Sequence, residues 1–391
     1  MSKKTRSRLA IITTHPIQYY APVFKLINER SKIDLKIFYT WGEDSIKPKY
    51  DPGFGKTIEW DIPLLEGYEY EFLKNTSSNP GSSHFQGIIN PDAIQQVEAF
   101  KPDAVLIYGW SNNSHLKILR HFKGRIPVWF RGDSNLIDQQ KGWKALLRGI
   151  FLRWVYSHVD KALYVGTANK EYFVKYGMKE NQLRFVPHAI DNSRFSESRT
   201  AEVKTFRRDL NIPDNDILIL FAGKLEPKKN PELLLQAYMD LKKEGVHLLF
   251  VGNGVLEESL KSEAKSKKTP YIHFLPFQNQ KKMPVIYQSC DLFCLPSQGP
   301  GETWGLAVNE AMAAGKAIIV SNKVGCARDL VKDGENGFIF ESGNMEHLLS
   351  CLKQICEDSE MLKDMGASST KIIYNWSFLY QADSIEKSLN G

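Results

Sequence analysis

Short, unbroken runs of β-branched and large apolar residues recur along this chain, separated by stretches of helical periodicity, and the whole alternation occurs twice. In the first half the runs fall at 9–14, 34–40, 104–109, 127–132, 161–166 and 183–188. In the second half they fall at 217–223, 246–252, 272–277, 292–297, 317–322 and 337–341. Helical patterns lie between them, as at 231–243, 255–266, 304–314 and 344–357. A strand that is apolar on both faces must be covered on both, and a parallel strand needs a crossover to return. Such a sequence is therefore restricted to α/β folds built on doubly wound parallel sheets. Two successions predict two domains, and 391 residues accommodate them at roughly 100–200 residues each.

The polar, aperiodic tract 192–202 is the natural boundary, placing a first domain at 1–196 and a second at 197–372. Residues 41–100 are the least regular, with Pro48, Pro52, Gly53, Gly55 and the 75–83 tract, and are expected to form loops with a few strands. No run approaches the ~18 apolar residues that span a bilayer, and the basic start leads directly into a strand-like segment rather than a signal core. A cytosolic chain is expected. The five cysteines, at 290, 294, 326, 351 and 356, make no Cys-x-x-Cys pair and read as core thiols, so no metal site is expected.

The net charge of +6 is unevenly distributed. Lys and Arg minus Asp and Glu give 29 − 20 = +9 for residues 1–200 and 22 − 25 = −3 for 201–391. The basic half suggests an anionic partner such as a membrane surface, a lipid phosphate or a nucleic acid. Residues 117–154 hold nine Lys or Arg against two acids, and within them 141–157 form a basic amphipathic stretch carrying Lys141, Lys144 and Arg148. That stretch either lies on an anionic membrane or is a core helix with a wet basic face. Nothing resembles a nucleic-acid module or the interleaved aromatics of single-strand binders, and no nucleic-acid partner is expected.

Chemistry concentrates in the second half. Gly301-Glu302-Thr303-Trp304-Gly305-Leu306 opens a helix whose first-turn N–H groups, around Thr303 to Leu306, suit a phosphate. Glu302 stands at its mouth and Glu310 about 12 Å further on if the span is wholly helical, so the two carboxylates could hold opposite ends of one ligand. Gly223-Lys224 and Lys229 follow the first strand of the second succession, at a carboxyl end where doubly wound sheets bind ligands. Their ammonium groups either face a diphosphate or sit on a solvated turn. Gly252-Asn253 permits close backbone approach, and Leu275-Pro-Phe277 could present main-chain groups to a base.

Taken together, Gly223-Lys-Leu-Glu-Pro-Lys-Lys229, Val251-Gly-Asn-Gly254, Leu295-Pro-Ser297, Glu302-x7-Glu310, Glu310-Ala-Met-Ala-Ala-Gly315 and Asp333-Gly-Glu-Asn-Gly337 resemble the nucleotide-sugar domain of retaining glycosyltransferases of the GT-B fold, family 4 (group 1). Val186-Pro-His-Ala-Ile-Asp191 is similar to that family's domain junction. The resemblance implies two Rossmann-like domains facing a central cleft and a C-terminal helix, 373–391, returning to the first. It also implies that Glu310 binds the ribose of a UDP- or GDP-sugar, that Glu302 binds the transferred sugar, and that Lys224 and Lys229 neutralise the diphosphate without a metal. Lys224 stands where the family more often has arginine, so the charge is kept and bidentate contact is lost.

The first half departs from the family's usual glycine pair after strand one. It reads Thr13-Thr-His15-Pro-Ile-Gln18, where His15 is either a cleft hydrogen-bonding group or a turn residue. Arg131 and Asp133 end a later strand, and Asp133 is a candidate acceptor-site carboxylate; 109–113 form a further candidate loop. The expectation is a hexosyl-type transferase acting on a lipid-linked or cell-surface glycan, cytosolic or peripheral at the inner face of a membrane. The alternatives are a nucleotide-sugar epimerase of the same fold and a non-catalytic nucleotide-sugar-binding subunit.

Overall fold

The computed structural model describes residues 6–51, 53–139, 142–267 and 269–390. The strands, in chain order, are β1 (Arg8–Thr13), β2 (Asp34–Tyr39), β3 (Lys49–Asp51), β4 (Lys56–Ile58), β5 (Glu69–Phe72), β6 (Ala104–Tyr108), β7 (Val128–Arg131), β8 (Lys161–Tyr164), β9 (Leu183–Phe185), β10 (Ile217–Ala222), β11 (Val246–Val251), β12 (Ile272–Leu275), β13 (Leu292–Leu295), β14 (Ala317–Ser321) and β15 (Gly337–Phe340). Contacts divide the described residues into two units, one within Met1–Lys47, Pro63–His188 and Phe378–Gly391, the other within Pro48–Ile62 and Ala189–Ser377.

The first unit is a seven-stranded sheet ordered β5-β2-β1-β6-β7-β8-β9, parallel throughout. The apolar runs are unbroken because each strand feeds two cores. Ala10 and Ile12 join Phe38, Val105, Ile107 and Phe130 on one face, while Leu9 and Ile11 join Leu35, Ile37, Leu106 and Trp129 on the other. The second face is covered by the Ala21–Arg30 helix and the Phe378–Asn390 helix. Arg30 reaches Asp383 and, at 3.1 Å, the buried Glu386, which Lys32 also meets at 3.2 Å.

The second unit contains a six-stranded parallel sheet ordered β12-β11-β10-β13-β14-β15. Its central strand β10 pairs with β11 from Ile217↔Val246 to Ala222↔Val251, and residues Leu218–Phe221 are wholly buried. Two features differ from the linear reading of the sequence. Within the irregular 41–100 region, β3 and β4 form an antiparallel hairpin that belongs to this second unit. The change of unit falls between His188 and Ala189, ahead of the 192–202 tract, because Ile190 bridges to Ser377 and Asn192 donates to the carbonyl of Ile373 at 3.1 Å. All five cysteines are free and buried, and burial pushes the Cys290 thiol up to about 12.

Candidate nucleotide-sugar site

In the second sheet the chain passes from β10 to β11 and β12 on one side and then to β13, β14 and β15 on the other. The loops leaving β10 and β13 therefore diverge at the carboxyl edge, which is where such sheets open a ligand crevice. Lys229, Ser297 and Glu302 meet there. Lys229, at the end of the short 3-10 turn Pro227–Lys229, makes an ion pair with Glu302 across this crevice. Ser297, just past β13, donates to the same Glu302 oxygen at 3.0 Å. Gln298 ties the two loops again, its N–H donating to the Lys228 carbonyl at 2.9 Å and its side-chain amide to the Pro227 carbonyl at 2.7 Å.

Glu302 and Glu310 are both buried, at 7% and 4% exposure. A carboxylate is held there only with polar or cationic company, since an unpaired buried charge is strongly disfavoured. The helix begins at Leu306 rather than near 304, because Gly305 caps it in a left-handed conformation (φ 97°). A Cβ on Gly305 would stand 2.9 Å from a Val324 methyl carbon. Glu302 thus lies on the approach to the helix and Glu310 within it, so the 12 Å estimate for a wholly helical span does not apply. Trp304 is buried, its indole N–H donating to the Asn309 side chain at 2.9 Å and its ring 5.2 Å from that of Trp376. Its side chain fixes the base of the loop. Glu302 and Trp304 also contribute main chain, the Gly325 N–H bonding the Glu302 carbonyl and the Cys326 N–H the Trp304 carbonyl, while a Cβ on Gly325 would meet the Thr303 oxygen at 1.8 Å.

The neighbouring loops pack backbone on backbone. Gly252 lies against Gly223 so closely that a Cβ would meet the Gly223 oxygen at 2.0 Å. Asn253 is a tie within the unit, accepting from the Phe277 N–H at 2.8 Å and donating to Glu257 at 2.8 Å. The Leu275 carbonyl accepts from the Gly252 N–H at 2.9 Å, so its main chain links β12 to the glycine loop.

Sequence reasoning missed Asp51. The β3–β4 turn brings this carboxylate to Lys224, at 2.9 and 3.1 Å from its two oxygens. Burial raises the Asp51 carboxyl pKa, but the ion pair with Lys224 and the N–H groups of Phe54 and Gly53 outweigh it and hold it below its ordinary value. Lys224 also lies 5.0 Å from the Phe54 ring, Phe54 meets Phe277 edge to face, and Lys56 reaches the Phe277 carbonyl at 3.4 Å. The Asp51-Pro52-Gly53 turn chemistry was the available signal for a hairpin; no local signal pointed to a partner 173 residues away.

In the first unit a hollow of about 200 Å³ opens at the carboxyl ends of its strands, lined among others by Thr14, Tyr20, Tyr108, Arg131, Asp133 and His188. Arg131, the last residue of β7, and Asp133, just past it, both line it. Arg131 is 1% exposed and donates to the carbonyls of Val186 and Pro187 at 2.6 and 2.9 Å. His188 Nε2 lies 3.8 Å from Asp133. Burial lowers the His188 pKa, with Asp133 opposing and Arg131 reinforcing that shift. His15 does not line the hollow; it bonds Thr14 Oγ1 at 2.8 Å and sets its ring edge-on to Trp41. Among the described residues, no group of three or more His, Cys, Asp or Glu side chains is placed to hold a metal ion.

A family model described as glycosyl transferases group 1 matches residues 202–372. D-inositol 3-phosphate glycosyltransferase of Rhodococcus opacus is 26% identical over 223 residues, covering 54% of this chain and 49% of that protein. Sulfoquinovosyl transferase of Arabidopsis thaliana is 23% identical over 304 residues, covering 74% and 57%. The chain spans about half the length of the curated relatives it matches. Among solved structures, Anabaena HepE in complex with UDP and glucose superposes with a TM-score of 0.73 at 16% identity, covering 98% of this chain and all of that one. Sucrose-phosphate synthase from Thermosynechococcus elongatus gives 0.73 at 16% identity, covering 98% of both chains. The two parallel sheets are those of the GT-B type, and residues 202–372 are similar to the group 1 glycosyl transferases.

Proposed function

We propose that this protein is a retaining glycosyltransferase that moves a hexosyl group from a UDP- or GDP-sugar to a hydroxyl, without a metal ion. The acceptor is a lipid-linked or cell-surface glycan, met at the inner face of a membrane through the basic region 117–154. The observation that carries this reading is the Lys229–Glu302 ion pair spanning the β10/β13 crevice, braced by Ser297. A cation and a carboxylate held together there match the two halves of a nucleotide sugar. Lys229, with Lys224, takes the diphosphate, whose negative charge grows as the glycosidic bond breaks. Glu302 accepts from hydroxyls of the transferred sugar, and Glu310 from those of the ribose. The departing phosphate oxygen takes the acceptor proton on the same face, so no enzymic nucleophile is required.

In the first unit, Asp133 and His188 form the acceptor side, with the buried histidine neutral and able to accept or donate a hydrogen bond. A screen of UDP- and GDP-sugars, read as nucleoside diphosphate release with glycan products identified, tests this reading. Release coupled to a new α-linked product is expected. An epimerised sugar without acceptor would instead identify an epimerase, and binding without turnover a non-catalytic subunit.

A further inference from the structure

The helix Trp143–Tyr156 has two apolar faces: one is buried in the fold, and the other is largely exposed, meeting the unit only at its edge, where the Phe151 ring lies 5.4 Å from that of Trp110. Leu152, Val155 and Tyr156 are buried in the first unit, with the Tyr156 ring 5.5 Å from that of Phe130. On the opposite side Trp143, Leu146, Leu147, Ile150, Phe151 and Trp154 are between 39% and 69% exposed. At about 100° per residue these six occupy one continuous arc of about 140°, centred opposite Leu152. Lys144 and Arg148 border the arc on one side and Arg153 on the other. From Gln139 to Val159 there is no acidic residue. Arg120 lies 5.4 Å from the Trp154 ring, adding a further cation beside the ridge.

We propose that this ridge inserts into the interfacial layer of an anionic bilayer, so that the first unit is held by apolar insertion as well as by charge. This deepens the membrane part of the reading above and rests on it. The sequence suggested a basic face lying on the surface; the structure places apolar side chains outermost, with the basic residues at their flanks. That arrangement lets the rings and aliphatic chains reach the acyl boundary while the ammonium and guanidinium groups stay at the level of the phosphates. Among the described residues no helix is long and apolar enough to cross a membrane. A second copy of the chain suits the ridge less well. Two such helices packed together would oppose Lys144, Arg148 and Arg153 to their like, with no carboxylate in the segment to offset them. Beside the ridge a hollow of about 620 Å³, lined by Leu146, Ile150 and Tyr176 with Arg153 and Lys175, combines an apolar floor with cations, as a lipid phosphate and its first acyl carbons require.

The test uses the full chain and phosphatidylglycerol–phosphatidylcholine vesicles whose acyl chains carry bromine. Expected are co-sedimentation with the vesicles, quenching of tryptophan fluorescence that falls sharply in Trp143→Phe, and binding that partly survives 1 M salt, where the screening length is about 3 Å. Leu146→Glu with Ile150→Glu, both at exposed positions, is expected to weaken partitioning at least tenfold while leaving the melting temperature unchanged. Binding without quenching, abolished by salt and insensitive to that double variant, overturns insertion and leaves surface electrostatics. Failure to bind at any salt concentration overturns both insertion and the membrane reading. A stable dimer that the double variant dissociates assigns the ridge to a second copy and likewise overturns the proposal.

Discussion

Asp51 grips Lys224 with both carboxylate oxygens, at 2.9 and 3.1 Å, and so occupies the cation that we assign to the donor's diphosphate. A nucleotide sugar has to compete with Asp51 for that ammonium group. Asp51→Asn removes the competitor and is expected to tighten UDP or GDP binding about two- to fivefold, the range of a partly exposed ion pair. Isothermal titration of the nucleoside diphosphate measures it. Weaker binding in the variant would mean that Asp51 supports the pocket rather than competing for its cation.

Lys229 and Glu310 are assigned different tasks, and kinetics can separate them. Lys229→Ala should lower turnover roughly 10²-fold or more, as expected for loss of a group that stabilises charge on the leaving group. Glu310→Ala should act mainly on donor affinity. Near-normal turnover in the first variant, or unchanged nucleotide affinity in the second, contradicts the corresponding role.

Gly252→Ala tests the backbone packing beneath the site. The added carbon would meet the Gly223 oxygen at 2.0 Å, and Gly252 has a φ of 142° that other residues rarely adopt. The loops after β10 and β11 must separate to admit it. A fall of several degrees in melting temperature and loss of nucleotide binding are expected; a variant with wild-type values for both would show that the contact is not needed.

His188 gives a prediction in pH. Burial lowers its folded pKa below the unfolded value near 6.5, so the fold favours the neutral ring. Stability from this group is present above about pH 6.5 and declines as pH falls through that value towards the folded pKa. His115, buried with its pKa also lowered by burial, has the same sign. Melting temperature is expected to drop between about pH 7 and 5, and His188→Gln to make the drop shallower. An unchanged slope would place the proton uptake elsewhere.

Most of the second sheet was legible because its evidence is local. Apolar runs mark the strands, glycines mark their ends, and the groups of the β10 and β13 loops lie within a few residues of those ends. Lys229, Glu302 and Ser297 come together because the strand order brings together two loops whose composition already stood out. Asp51 was hidden for the opposite reason. Its hairpin is short, lies in a Pro- and Gly-rich region, and finds its partner by tertiary contact alone. For His15 the sequence left a cleft group or a turn residue open, and no local signal indicated that its ring would stand edge-on to Trp41, 26 positions away. The ridge on Trp143–Tyr156 was only half visible, because apolar residues all round a helix do not reveal which face the core will take.

Both units are stitched from distant parts of the chain, and this sets an order of assembly. Asp51 leaves the ribosome 173 residues before Lys224, and Arg30 precedes Asp383 by 353. At about 5–20 residues per second the β3–β4 ribbon waits on the order of ten to thirty seconds for its partner, and the Ala21–Arg30 helix waits longer for its own. A two-stranded ribbon is marginally stable by itself in water. Neither unit can therefore close as an independent early domain. A nascent chain halted anywhere between the two halves holds an open ribbon and an uncovered helix, so truncated products of this protein are the ones most exposed to aggregation and proteolysis.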